Sequence, residues 1–116
     1  MVNKKQYLRG KNDLMETLNF KENLNHQQVG SNPNDFHQII DALVKSGWKR
    51  IDIYTLLWDI MNNHYNELDE LVVDELGEFE TSITGYCSPE SIFKFPDDPE
   101  NIEQLTAVVR AGKWKL

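Results

Sequence analysis

The chain has 116 residues, 40% hydrophobic and 27% charged, with a formal net charge of −7, which suits one globular domain with its own core and excludes a disordered chain. No apolar run approaches the roughly 18–20 residues of a membrane span, and the polar start from Met1 to Lys5 lacks the apolar stretch of a secretory signal. The single cysteine, Cys87, excludes an internal disulfide, so a reducing cytoplasm is the expected compartment.

Residues 1–11 are polar and basic and are expected to fray. Asn12 or Asp13 is the expected cap of a first helix, with Leu14, Met15, Leu18 and Leu24 on its apolar side, and residues 23–34, rich in Asn, Gln, Gly and Ser, read as a loop. Asn32 or Asn34 as cap, Pro33 and Asp35 then announce a second helix. Phe36, Ile39, Ile40, Leu43 and Val44 form one face of it, Gly47 ends it, and Trp48 is expected to pack back over its end. A third helix is expected from Arg50 to Asn62, burying Ile53, Leu56, Leu57, Ile60 and Met61, before a break at residues 62–66. The fourth, from Glu67 to Thr84, has Leu68, Leu71, Val72, Leu76, Phe79 and Ile83 as its apolar face, and Gly77 in mid-helix suggests a close helix crossing. Ser88-Pro89-Glu90-Ser91 predicts one helical turn, and Ile92–Phe95 a short extended piece or part of that turn. Asp98 as cap, Pro99 and Glu100 predict a last helix with Ile102, Leu105, Val108 and Val109 inward, closed by Gly112. Five helices and no firm strand make an all-α bundle, one domain over residues 1–116.

Charge is unevenly distributed. Residues 1–50 hold eight Lys/Arg and five Asp/Glu, and residues 94–116 hold four of each. The 43 residues from Ile51 to Phe93 hold ten acids and no Lys or Arg. Such a stretch forgoes Glu–Lys pairing along its helices and incurs self-repulsion. It disfavours nucleic acid and anionic membrane and speeds encounter with a basic protein. The plainer interpretation is a solvated face kept for solubility.

The residue types that carry chemistry are present without the spacing that chemistry needs. His64 and Glu67 share a helical face, but a metal site needs three or four ligands, and His26 and His37 lie in other segments. Glu70, Asp74, Glu75 and Glu78 oppose the apolar stripe of the fourth helix, and the chain has no Glu-x-x-His of a dimetal bundle. Cys87 has no evident base or oxyanion site and reads as structural. The glycines are scattered, and Lys113-Trp114-Lys115 is too short for a nucleic-acid patch. No catalytic residue, cofactor or metal is expected. What remains is a binding surface, with Tyr54, Trp58, Tyr65 and Tyr86 in or beside the acidic stretch.

In size, charge and helical content the chain resembles the immunity proteins of bacterial contact-dependent growth-inhibition systems. The segment Ile92-Phe93-Lys94-Phe95-Pro96-Asp97-Asp98-Pro99-Glu100 is locally similar to helical immunity proteins of nuclease colicins, where an aliphatic residue and two tyrosines precede a proline and acids; Phe93 and Phe95 stand at or near the tyrosine places. The resemblance implies an inhibitor that covers the basic substrate site of a toxin nuclease, an RNase rather than a DNase. The partner-binding residues expected are Trp58, Tyr65, Glu67, Glu70, Asp74, Glu78 and Tyr86. The alternative is a helical adaptor that binds through an apolar patch around Phe93, Phe95 and Trp114, its acids serving solubility alone.

Overall fold

Asn3 opens the first helix. Its side-chain oxygen accepts from the Gln6 N–H at 2.8 Å while the Gln6 side chain accepts from the Asn3 N–H at 3.0 Å, a reciprocal capping box. The helix, α1, therefore spans Lys4–Thr17; it begins well before Asn12 or Asp13, and residues 4–11, expected to fray, are helical. Tyr7, Gly10 and Leu14, three and four apart, explain the earlier start, because they face a covering side chain. Trp48 stacks with Tyr7 at 6.1 Å and its six-membered ring lies against Gly10.

The computed structural model describes residues 2–18 and 36–115. Within them α2 is Phe36–Lys45, α3 is Arg50–Asn63, α4 is Glu70–Thr84 and α5 is Ile102–Ala111, with single 3-10 turns at Tyr65–Glu67, Pro89–Ser91 and Lys113–Lys115. The expected all-α bundle of five helices is what forms, with no strand among the described residues. Leu24, His26, the loop over residues 23–34 and the caps proposed at Asn32, Pro33, Asn34 and Asp35 lie outside them. No described helix is long and apolar enough to cross a membrane.

α2 ends in a Schellman motif: the Trp48 N–H donates to the Leu43 carbonyl at 3.1 Å and the Gly47 N–H to that of Val44 at 3.0 Å, with Gly47 at φ 107°. The chain reverses there and sends Trp48 onto α1. α3 then buries Ile53, Leu56, Leu57 and Ile60 chiefly against α4, which contributes Val72, Leu76, Phe79 and Ile83. α4 starts later than its apolar pattern predicts, because residues 65–67 close a 3-10 turn and Leu68 is extended, though buried. Leu71, expected inside, is 65% exposed. With 3.6 residues per turn it points about 100° away from Val72, off the stripe that α3 covers. Gly77 is no crossing point among the described residues, none of which a Cβ there would meet within 4 Å.

Residues 92–95 are irregular rather than a strand, with Ile92 and Phe95 buried and the Phe93 N–H donating to the Ser82 carbonyl at 3.0 Å. The cap of α5 is Asn101, not Asp98, and accepts from the Glu103 and Gln104 N–H groups at 2.9 and 3.1 Å. Asp98 is engaged elsewhere, accepting from the Phe95 N–H at 2.7 Å and from the Arg50 guanidinium. α5 buries only Leu105 and Val109, in a small second cluster with Ile92; Ile102 and Val108, expected inside, are exposed.

Candidate protein-binding surface

The face of α4 turned away from its buried stripe carries Glu70, Asp74 and Glu78 at intervals of four, all exposed. Successive members rotate by about 40° around the axis, so they form one slowly winding row. Leu71 stands among them, three, four and seven residues before Asp74, Glu75 and Glu78. Among the described residues no cation lies within ion-pair distance of Glu70, Asp74, Glu75 or Glu78. Glu80, nearer the core, behaves differently: burial raises its pKa and the charge of Lys115 partly offsets that.

Tyr65 and Glu67 lie in the 3-10 turn that precedes α4, and Glu67 meets His64 Nδ1 at 2.6 Å. Tyr86 follows the other end, where Gly85 takes a left-handed conformation at φ 88°. The helix between them is about 22 Å long, close to the span of a standard interface of roughly 800 Å² per partner. Tyr86 is 80% exposed, yet its backbone is held on both sides. Arg110 donates from Nε to the Gly85 carbonyl at 3.0 Å and from Nη2 to the Cys87 carbonyl at 2.9 Å. A Cβ on Gly85 would crowd Val109 and Arg110 at 3.0 and 3.1 Å.

Trp58 is exposed on α3, but its surroundings are those of α1. It lines a cavity of about 420 Å³ with Val2, Tyr7, Thr55 and Asp59. There the Asp59 carboxylate accepts from Tyr7 at 2.6 Å, Asn63 at 2.5 Å and Lys11 at 2.9 Å. Burial opposes its ionisation, but the three donors and the charge of Lys11 outweigh burial and hold its pKa at about 2. The Tyr7 hydroxyl is pushed up by burial, then by its bond to Asp59 and that charge. The structure thus places the seven expected binding residues as an α4 group with a tyrosine near each end, and Trp58 apart beside α1.

No group of three or more His, Cys, Asp or Glu side chains among the described residues is arranged to hold a metal ion. Cys87 is half-buried, and burial raises its pKa against the opposing charge of Arg110. Of the apolar patch in the adaptor alternative, Phe95 is buried, whereas Phe93 and Trp114 are half-buried. Phe95 is buried under Arg50, whose guanidinium lies 4.5 Å from its ring centre, and Trp114 stacks edge-on against Tyr54 at 5.5 Å. Phe93 is half-buried between Phe79 and Phe95. Sequence reasoning missed Leu71 as a surface residue, and its signal was there: it precedes by three, four and seven the same acids that mark the solvent face. Arg50 and Arg110 carry no local signal. Comparison of the chain with protein-family models, curated proteins and solved structures finds no match.

Proposed function

We propose that this chain is an inhibitor-type binding protein whose acidic α4 face covers the basic substrate site of a toxin nuclease domain, in the manner of an immunity protein. The observation that carries the reading is the row Glu70, Asp74 and Glu78 around the exposed Leu71, with no cation among the described residues to neutralise it. Unbalanced acids along one row repel one another; a basic partner supplies their counter-charges and gains association rate from the field. Exposed tyrosines, here Tyr65 and Tyr86 near the two ends of the row, are among the side chains that most often anchor an interface.

The test is co-expression with the neighbouring gene, followed by capture at low and high salt. The expected result is a stoichiometric basic protein, toxic alone and neutralised by this chain, whose capture is lost when Glu70→Lys and Asp74→Lys are combined. A partner that binds equally well at high salt and to the charge-reversed variant overturns the assignment.

A further inference from the structure

We infer that the groove beside the acidic face is a socket for an arginine side chain of the basic partner, an assignment that rests on the reading above. The groove lies between α4, His37 of α2 and the segment Ser91–Phe93, and encloses about 280 Å³. Pockets that take whole small molecules run to roughly 300–1,000 Å³, so this one suits a single long side chain. Its walls are aromatic. Phe79 and Phe93 meet edge to face at 5.5 Å, and the His37 ring tilts against Phe79 at 5.1 Å. Glu75 and Glu78 stand at its rim, and neither has a cation within ion-pair distance among the described residues.

The aromatic wall opposite those carboxylates is anchored through its backbone. The Phe93 N–H is fastened to the Ser82 carbonyl, and the Phe93 carbonyl accepts from Arg50 at 2.8 Å. The backbone of the Phe93 wall is therefore held before any partner arrives, which lowers the ordering cost of binding. Charge at the rim repels anions. A metal ion is excluded on geometry, because His37, Glu75 and Glu78 do not form a ligand group. Of the cationic side chains, arginine matches best: its guanidinium is weakly hydrated, packs on aromatic side chains and has a fork that engages two carboxylates, whereas a lysine ammonium is compact and strongly hydrated.

The probe is N-acetyl-arginine amide, titrated into the ¹⁵N-labelled full chain and followed by amide shifts. Saturable shifts are expected at Ser82, Ser91 and Phe93, with N-acetyl-lysine amide binding about threefold more weakly. Ser91→Trp, at an exposed position, fills the groove and leaves every carboxylate in place, so it abolishes the shifts; Ser82→Leu does the same from the α4 side. Shifts that do not saturate, that are equal for the two amides, or that survive both variants overturn the socket. If the socket fails while salt-dependent capture of a basic partner persists, only this inference is lost. If arginine binds as described and no basic partner is captured, the reading of the face is lost and with it the partner, while the groove stands as an arginine site.

Discussion

Arg50 gathers contacts that no local pattern announces. It is 6% exposed and donates to the Ile83 and Phe93 carbonyls at 2.9 and 2.8 Å and to Asp98 at 2.5 Å, with Phe95 beneath it. Burial lowers its pKa, and the charge and hydrogen bond of Asp98 work against that shift. Removing one member of such a pair strands the other. Arg50→Met is expected to lose about 3–5 kcal/mol in urea unfolding, whereas Lys49→Met, whose partner Asp97 is exposed, loses at most about 1 kcal/mol. Asp59 makes a second prediction, in pH. Its pKa falls from an ordinary 3.8 to about 2 on folding, so its contribution is fully present above the unfolded value and drains away as pH falls through the folded one. Between pH 4 and 2 the urea midpoint of Asp59→Asn is therefore expected to fall less steeply than that of the parent chain. Neither network was legible in the sequence, because the partners of Arg50 lie 33–48 residues away and those of Asp59 include Tyr7, 52 residues away.

At the scale of elements, two helical glycines carry opposite predictions. A Cβ on Gly10 would sit 2.4 Å from Trp48 Cζ2, 2.6 Å from Cη2 and 3.1 Å from Leu43 Cδ2. Gly10→Ala is expected to destabilise by about 1–3 kcal/mol through overpacking. No described residue would meet a Cβ on Gly77 within 4 Å, and Gly77→Ala is expected to stabilise by about 0.5–1 kcal/mol; thermal unfolding of both variants decides. The apolar periodicity of α2, α3 and α4 made those helices readable, and Gly47 and Gly112 marked real ends. The start of α1 was not readable from apolar spacing alone, because Gly10 is an inward position without a side chain. The start of α5 was misplaced because Asp98-Pro99-Glu100 has the form of a cap while Arg50 claims Asp98, leaving Asn101 to do the capping.

At the scale of the whole molecule, the charge asymmetry in the sequence identified the acidic face, but which apolar residues escape the core depends on what each helix packs against. Leu71 and Tyr86 are exposed there, whereas Phe95 is buried and Phe93 and Trp114 are half-buried. Leu71→Ala is expected to change stability by no more than about 0.5 kcal/mol and to weaken the partner complex by about 1 kcal/mol or more, roughly fivefold. Calorimetric unfolding and titration of the same variant measure the two quantities side by side.

Arg110 has a consequence at a distance. The turn that presents Tyr86 is held by a side chain from α5, and α5 rests on a small cluster of its own rather than on the main core. Opening α5 locally would release the two carbonyls that flank Tyr86, and the opening free energy of that helix becomes part of the grip on the tyrosine. A partner that clasps Tyr86 thus slows hydrogen exchange at Leu105 and Val109, amides it never touches, by mass action on the closed state.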